Sequence, residues 1–186
     1  VVQNKNGGLY DKFRNRLMLP VIDTRGDVVA FGSRVLDKSE PKYMNSSETP
    51  VYSKRRVLYG LNLAKKSKRP NIILCEGNLD IVTLHQAGFD NAVASMGTAL
   101  TVEQTRLLSR FTKELVLCYD NDNAGKIATE RALQILNGSE FSVKVLQLPR
   151  RLVDGEYIKQ DADDFIKLQG PDAFERLLNG SENGVE

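Results

Sequence analysis

Four short apolar runs decide the fold: NIILC at residues 71–75, AVAS at 92–95, ELVLCY at 114–119 and VKVLQL at 143–148. Short apolar runs of this kind are typical of strands that are buried on both faces of a sheet. The segments between them have helical spacing, and Gly88 and Gly138 are placed to end two of the helices. This alternation predicts an α/β fold with right-handed crossovers, in which helices flank a mostly parallel four-stranded sheet.

The helix after the second run has a recognisable start. Thr101-x-x-Gln104 is a capping box, which predicts a helix that begins there. Helical spacing then places Leu107, Leu108 and Phe111 on its core-facing side.

The residues before the sheet have a different character. LMLPVID at 17–23 and DVVAFGSRV at 27–35 predict two strands joined by a tight turn, which is a β-hairpin. Residues 37–56 are polar and predict a surface loop, and residues 58–68 predict a short helix. We therefore predict three parts: a small basic α+β segment over 1–70, the parallel sheet over 71–150, and an acidic loop with C-terminal helices packing on it over 151–186.

Composition and charge exclude some classes of protein and suggest an anionic partner. Two cysteines and one histidine are too few for a four-ligand zinc site. No apolar run approaches the roughly 20 residues of a membrane-spanning helix, so no membrane partner is expected. Residues 1–70 contain 15 Lys and Arg against 6 Asp and Glu, whereas residues 71–186 contain 11 against 18. The basic part suits nucleic acid or nucleotide phosphates and the acidic part suits cations, although a solvated surface explains either.

Acidic turns follow two of the predicted strands. Glu76 follows the first strand, and Asp120 and Asp122 follow the third. Because the carboxyl ends of parallel strands meet at one edge of a sheet, we expect these carboxylates to lie together, where they repel one another unless a cation lies among them. Oxygen ligands favour Mg²⁺ or Mn²⁺ over zinc. The sequence therefore predicts a divalent-metal site suited to phosphoryl transfer.

The acidic motifs also have a structural interpretation. Asp122 alone suits an N-cap of the helix that starts near Ala124. Asp161, Asp163 and Asp164 suit the first turn of a helix, where the macrodipole favours negative charge. Considered alone, this last motif is explained better by the helix terminus than by a metal.

Several motifs occur together along nearly the whole chain. EGNLD at 76–80, SMGTA at 95–99 and CYDNDNAG at 118–125 are joined upstream by NRLMLPVI at 15–22, AFGSRVL at 30–36 and PKYMNS at 41–46. The first three segments resemble the Toprim domain of bacterial DnaG-type DNA primases, and the last three resemble the polymerase core of the same family. The resemblance extends from about Phe13 to Leu178 and implies a Toprim-type sheet.

The resemblance implies a DNA-directed RNA polymerase that makes short RNA primers on a single-stranded DNA template from nucleoside triphosphates, in the cytoplasm at the bacterial replisome. It implies that Glu76, Asp120 and Asp122 are catalytic and hold Mg²⁺ or Mn²⁺, and that Asp161 and Asp163 complete the metal site. It further implies that Asp80 lies beside that site as a ligand or its support, and that nucleotide or template contacts come from Arg34, Lys42, Tyr43, Asn45 and Lys54.

The sequence departs from the family pattern at some positions. Asn78 stands where the family usually has an aromatic residue, Asn121 and Asn123 replace a glycine and a basic residue, and the stretch from Pro149 to Asp161 is longer than usual. The resemblance also implies a zinc-binding module and a helicase-binding domain that these residues do not contain. We therefore expect part of a larger primase, with a replicative helicase bound through the missing domain.

Two other functions are open on the sequence alone. A metal-dependent nuclease, or a primase-helicase of a phage or mobile element, would share the Toprim acids. A non-catalytic nucleic-acid-binding fragment would share the fold, and its DNA binding would be unchanged by loss of Glu76 or Asp120. Metal-dependent cleavage of DNA without nucleotides would indicate the nuclease.

Overall fold

The computed structural model describes residues 1–180 and 182–183, so residues 181 and 184–186 of the predicted C-terminal part lie outside it. The strands are β1 (Val2–Gln3), β2 (Leu9–Tyr10), β3 (Arg16–Ile22), β4 (Val28–Val35), β5 (Tyr43–Asn45), β6 (Asn71–Cys75), β7 (Ala92–Ala94), β8 (Glu114–Leu117), β9 (Ser142–Val145), β10 (Arg151–Val153), β11 (Glu156–Ile158) and β12 (Glu182–Asn183). The helices are α1 (Leu61–Ala64), α2 (Asn78–Gln86), α3 (Val102–Leu108), α4 (Asn123–Leu136), α5 (Ala162–Gln169) and α6 (Pro171–Asn179). None of the helices in this described part is long and apolar enough to cross a membrane.

The main sheet has the strand order β12-β9-β8-β6-β7. Its four strands β9, β8, β6 and β7 are parallel, which confirms the predicted parallel sheet. The short strand β12 adds an antiparallel edge beside β9, which the sequence did not predict. Alternate residues of β6 face opposite sides: Ile73 packs with α2, α5 and α6, whereas Leu74 packs with α1, α3 and α4. The helices therefore cover both faces of the sheet.

The capping box at the start of α3 is present, but one expectation about this helix is wrong. The Gln104 amide donates to the Thr101 hydroxyl at 3.1 Å, and the Thr101 amide donates to the Gln104 side chain at 3.2 Å. Leu108 is buried and Leu107 is half-buried, whereas Phe111 is 37% exposed. The helix ends at Leu108, so Phe111 no longer follows the helical spacing that would place it in the core.

The predicted β-hairpin near the N-terminus is formed by β3 and β4. One oxygen of Asp23 accepts hydrogen bonds from the backbone amides of Arg25, Gly26 and Asp27, at 2.8 to 3.1 Å, and so closes the turn. The hairpin packs on the main sheet through a small core of four residues: Val21, Ala30, Tyr52 and Met96.

Residues 37–56 are not simply a loop, because they contain the third strand of the N-terminal sheet. Strand β5 pairs with β4 and places Tyr43 opposite Arg34 and Asn45 opposite Gly32. Strand β5 is polar and lies at a sheet edge, so hydrophobic alternation does not reveal it. The pairing instead satisfies the backbone groups along the free edge of β4.

A second hairpin lies within the predicted acidic loop. Strands β10 and β11 pair across Asp154 and Gly155, which both have positive φ, at 51° and 84°. Two positive φ values are what a type I′ turn requires, and Asp-Gly is a favoured pair there. The side chains of Leu152, Tyr157 and Ile158 are exposed on this hairpin, at 58%, 70% and 42%.

Candidate metal centre

The ends of β6 and β8 bring Glu76 and Asp120 together. Parallel pairing places Leu74 beside Leu117, so the residues that follow both strands emerge at the same edge of the sheet. The backbone amide of Asp120 donates a hydrogen bond to Glu76 Oε1 at 3.3 Å. The two acidic residues therefore lie side by side, as the parallel register predicted.

The two carboxylate oxygens of Asp122 have different partners. Its Oδ1 accepts from the Gly125 amide at 2.8 Å, which makes it the N-cap of α4. Its Oδ2 lies 3.1 Å from Lys159 Nζ, and the same ammonium lies 3.2 Å from Asp120 Oδ2. The helix-cap interpretation is thus confirmed for one oxygen, while the other faces a cation.

Asp80 connects two helix termini beneath the site. Its side chain is 7% exposed and accepts from the Gly77 amide at 3.2 Å and from the Asp163 amide at 3.0 Å. The first bond caps α2 and the second reaches the first turn of α5. Asp80 therefore fixes the acidic start of α5 against the loop that bears Glu76.

The start of α5 holds a second group of acids. Asp161 is the N-cap and accepts from the Asp164 amide at 2.8 Å, as the helix-terminus interpretation predicted. Asp163 accepts from the Thr83 hydroxyl and lies 2.6 Å from Lys167 Nζ. Within residues 1–180 and 182–183, one set of three candidate ligands has its oxygens all within 4.8 Å of one another: Asp161, Asp163 and Asp164. The family resemblance implied the first two of them as ligands, whereas Asp164 was assigned only to the first turn of the helix.

Burial and mutual repulsion raise the proton affinity of these carboxyls. Burial, and next the charge of Asp120, raises the pKa of Glu76. Burial also raises the pKa of Asp161. By contrast, the Gly125 amide and the Lys159 ammonium lower the pKa of Asp122. Half-buried carboxylates with raised pKa values are costly as a group, and a cation placed among them relieves that cost.

We expect the metal-free protein to lose stability as the pH rises from about 4 to about 7, because of Asp80. Burial, and next the charge of Asp161, raises the pKa of Asp80 from 3.8 to about 7. The unfolded chain releases this proton first, so the free energy of unfolding falls across that window by a few kcal/mol. Asp80→Asn should remove most of the decline in urea unfolding measured in EDTA between pH 4 and 8, and a smaller remainder should come from Glu76 and Asp161, whose pKa values are also raised.

The control for this pH experiment is Asp172→Asn, which removes an exposed carboxylate from α6. It should keep the wild-type pH profile. A decline of unchanged size in Asp80→Asn would show that Asp80 does not hold its proton in the folded state.

Strands β4 and β5 carry basic and aromatic side chains that are within electrostatic reach of Asp80 and Asp161. The charged groups of Arg34 and Lys42 each lie 5.8 Å from the ring centre of Tyr43. Burial raises the pKa of the Tyr43 hydroxyl, and the charges of Asp80 and Asp161 raise it further. Tyr43 is therefore within electrostatic reach of both the basic strands and the acidic helix start.

The two remaining predicted contact residues are Asn45 and Lys54. Asn45 Nδ2 donates to the Met96 carbonyl at 3.3 Å, which ties β5 to the loop after β7. Lys54 lies in a turn held by Gln104, whose side-chain nitrogen donates to the Lys54 carbonyl at 3.0 Å. No side-chain contact of Lys54 with the acids is seen in the described part of the chain, so its contact with nucleotide or template stays a prediction.

Two positions that depart from the family pattern have clear structural surroundings. The Asn78 amide lies against Gly32, where an added Cβ would be 2.5 Å from Asn78 Nδ2. Asn121 Nδ2 donates to the Leu148 carbonyl at 2.8 Å and so ties the acidic turn to the residues after β9. Both asparagines thus join the edge of the sheet that holds Glu76 and Asp120 to its neighbours.

Lys159 is the residue of this site that the sequence analysis missed. It follows β11 directly and precedes Gln160 and Asp161. The Asp154-Gly155 pair between RLV and EYI could have predicted the hairpin, and with it a lysine placed next to the acidic motif.

Comparison with known families and structures agrees with this geometry. Residues 1–65 match the family model described as "DNA primase catalytic core, N-terminal domain", and residues 73–166 match the model described as "Toprim-like". The chain belongs to the DnaG-type DNA primase family. The boundaries of the three predicted parts stay a prediction.

Individual relatives of this primase family are similar over almost the whole chain. A DNA primase of Clostridium acetobutylicum is 45% identical over 186 residues, which are 100% of this chain and 29% of that protein. The chain therefore spans less than a third of the curated relatives that it matches first. The crystal structure of the Aquifex aeolicus primase (zinc binding and RNA polymerase domains) has a TM-score of 0.86 at 36% identity, covering 97% of this chain and 44% of that one.

A third match is a DnaG primase catalytic domain that was solved bound to single-stranded DNA. Its TM-score is 0.86 at 38% identity, and the alignment covers 98% of this chain and 58% of that one. The shared architecture includes the four-stranded parallel sheet and the antiparallel N-terminal sheet. The fold predicted from the sequence is thus the fold of this family.

The acidic residues fit a divalent cation by their chemistry. The side chains at the strand ends are carboxylates, the ligands that Mg²⁺ and Mn²⁺ prefer. A positive group already lies within hydrogen-bonding distance of two of them, because Lys159 Nζ contacts both Asp120 and Asp122. Divalent-metal binding is supported by the Toprim-like domain together with the acidic cluster at the start of α5, which is formed by Asp161, Asp163 and Asp164. Its placement at the strand ends stays a prediction.

Proposed function

We propose that this chain is the catalytic core of a DNA primase, which makes short RNA primers on single-stranded DNA by divalent-metal-dependent nucleotidyl transfer. The observation that supports it most is the meeting of two surfaces: the Glu76–Asp120 pair at the strand ends and the basic, aromatic strands β4 and β5, with Tyr43 between them. A reaction between a polyanionic nucleotide and a metal site needs both surfaces at once.

Glu76, Asp120 and Asp122 would hold the metal, either Mg²⁺ or Mn²⁺. The bound ion supplies charge neutralisation on the phosphates and a lower pKa for the attacking hydroxyl. Asp161 and Asp163 would complete the acidic site from the start of α5. The existing partners of Asp163, Thr83 and Lys167, fix the direction of its carboxylate.

The protein's own groups position the substrates around that site. Arg34 and Lys42 would contact triphosphate or template phosphates, since both are cationic and Lys42 directly precedes Tyr43, the residue of β5 that pairs with Arg34. Asn45, Lys54 and the ring of Tyr43 would extend this surface along the template. Asp80 keeps the α2 and α5 termini in register through its two backbone bonds. The reaction joins a 3′-hydroxyl to an α-phosphate, and pyrophosphate leaves.

A titration of a nucleoside triphosphate tests the proposal directly. Calorimetric titrations of the triphosphate at a series of Mn²⁺ concentrations should show triphosphate binding that requires the metal. The reason is that the ion and the basic strands would hold the phosphates jointly. Triphosphate binding of the same strength in EDTA would contradict it. Cleavage of single-stranded DNA by the metal-loaded protein without nucleotides would favour a nuclease instead.

The whole primase is proposed to have further partners besides the metal and the nucleoside triphosphates. A single-stranded template, an RNA primer and, through a further domain, a replicative helicase are proposed for the whole protein. The related catalytic domain bound to single-stranded DNA supports the first of these. Template binding by this chain should fall steeply as salt rises, because it would depend on phosphate contacts.

A further inference from the structure

Lys159 occupies an unusual position in the proposed metal site. Its ammonium lies 3.2 Å from Asp120 Oδ2 and 3.1 Å from Asp122 Oδ2, and so bridges two carboxylates. Both residues are among the ligands that the proposed function assigns to a divalent ion. The proposed function gives no role to this lysine.

One site cannot hold both cations in this way. A metal ion that used the two Asp oxygens facing Lys159 would lie where the ammonium now donates its hydrogen bonds. A divalent ion and an ammonium that contact the same carboxylate oxygens lie only a few ångströms apart, and their positive charges repel strongly. Metal binding through those oxygens therefore requires the lysine to leave.

The chain around Lys159 allows such a movement. Within residues 1–180 and 182–183, the β10–β11 hairpin before it pairs with no other strand, and the Lys159 side chain is 58% exposed. The exposed pair Leu152 and Tyr157 shows that the hairpin is not packed into the core. Movement of this element costs few buried contacts.

The residue after Lys159 is incompletely satisfied in its present position. Gln160 is 2% exposed, and neither its side-chain nitrogen nor its oxygen has a hydrogen-bond partner among the described residues. A buried, unpaired amide is unfavourable, so this arrangement of residues 159–160 is not strongly held. Beyond it, Asp161 anchors the chain as the cap of α5.

We propose that Lys159 is an internal counter-cation that competes with the divalent metal for Asp120 and Asp122. Before the metal arrives, its charge keeps the two carboxylates from repelling each other. When the metal binds, the lysine leaves and the β10–β11 hairpin moves with it, so metal binding and hairpin position are coupled. This inference rests on the proposed function, because it assumes that the metal binds at these two residues.

Mn²⁺ binding measured by electron paramagnetic resonance on the whole chain tests the competition. Lys159→Gln should bind Mn²⁺ about 10-fold more tightly than wild type, since the metal no longer has to displace the Lys159 ammonium from Asp120 and Asp122. Lys159→Arg keeps the charge and should remain within about 3-fold of wild type. An unchanged or weaker affinity in Lys159→Gln would overturn the proposal.

Lys113→Gln is the matched control for loss of one positive charge. Lys113 is also an exposed lysine paired with a carboxylate, that of Glu140, but it precedes β8 at the opposite edge of the sheet. It should change Mn²⁺ affinity less than about 2-fold, because β8 (Glu114–Leu117) separates Lys113 from the Asp120 turn by roughly 20 Å of extended chain, while salt at 0.1 M screens charges over about 10 Å. An equal gain in Mn²⁺ affinity in Lys113→Gln and Lys159→Gln would show that the change in net charge alone causes it. That result would overturn the proposed competition.

A second readout follows the hairpin itself. Addition of Mg²⁺ to the wild type should shift the backbone amide resonances of residues 154–159 together with those of 76 and 120–122. Shifts at 76 and 120–122 alone would show that the metal binds without displacing Lys159. Absence of Mn²⁺ binding in wild type and in Lys159→Gln would instead overturn the proposed function, and the inference with it.

Discussion

Asp120→Asn is expected to weaken Mn²⁺ binding by about 100-fold and to abolish metal-dependent triphosphate binding, while the protein stays folded. Loss of an outer-shell partner of a metal typically costs roughly 10- to 100-fold in affinity, so loss of a ligand should reach the upper end. Asparagine has nearly the same shape as aspartate and keeps the backbone amide that donates to Glu76. Calorimetry gives the affinity, and urea unfolding gives the stability.

The same substitution should not destabilise the metal-free protein. The charge of Asp120 is one cause of the raised pKa of Glu76, so its removal relieves a repulsion in the folded state. Stability that is equal to or above that of wild type, together with lost binding, is the pattern of a residue retained for function. A large loss of stability would show that Asp120 is mainly structural.

Asp164→Asn is the control that separates the two acidic groups. Asp164 is exposed and belongs to the group at the start of α5, whose oxygens lie within 4.8 Å of one another. We expect its substitution to change Mn²⁺ affinity less than about 3-fold. If instead Asp164→Asn weakens binding more than Asp120→Asn, the metal binds at the helix terminus and the assignment to the strand ends is wrong.

The parts of this site that the sequence predicted depend on strong local signals. Buried strands are short apolar runs, and parallel pairing brings their ends to one edge, so Glu76 and Asp120 could be placed together without a structure. Phe111 was misplaced because helical spacing does not reveal that α3 ends at Leu108. Helix ends are the least certain part of such a prediction.

The parts that were missed depend on pairing between polar segments. Strand β5 has no hydrophobic alternation, and it forms because β4 offers an unpaired edge distant in sequence. The contact of Lys159 with Asp120 spans 39 residues and depends on where a surface hairpin lies. Charge composition showed a basic and an acidic part, but their meeting at Tyr43 required the β4–β5 register.

Gly125 controls how closely α4 approaches the acidic turn. It is buried in the first turn of that helix, against the backbone of Asp120. A Cβ at this position would lie 1.9 Å from the Asp120 carbonyl oxygen and 2.8 Å from the Asp120 carbonyl carbon. These are backbone atoms, which cannot rotate away as the end of a side chain can. Any larger residue therefore has to displace either α4 or the turn that bears Asp120.

Gly125→Ala is accordingly expected to lower the free energy of unfolding by about 3 kcal/mol, at the upper end of overpacking effects. It should also weaken Mn²⁺ binding at least about 10-fold in the folded protein, because the displaced group is Asp120 itself. The control is Gly180→Ala, where the nearest atom to the added Cβ is the Arg176 carbonyl oxygen at 3.5 Å and φ is −97°. Since that contact is ordinary, the control should unfold within about 0.5 kcal/mol of wild type.

Urea unfolding and Mn²⁺ titration of the same samples distinguish the two effects of Gly125→Ala. A destabilised variant that still binds Mn²⁺ with wild-type affinity would show that α4 yields and the Asp120 turn does not. A variant with wild-type stability would show that residue 125 is not in close contact with the backbone of Asp120. Loss of both is the expected result, because the glycine sits where helix packing and ligand position depend on the same backbone atoms. The absence of a side chain at residue 125 is then a requirement of the metal site as much as of the helix.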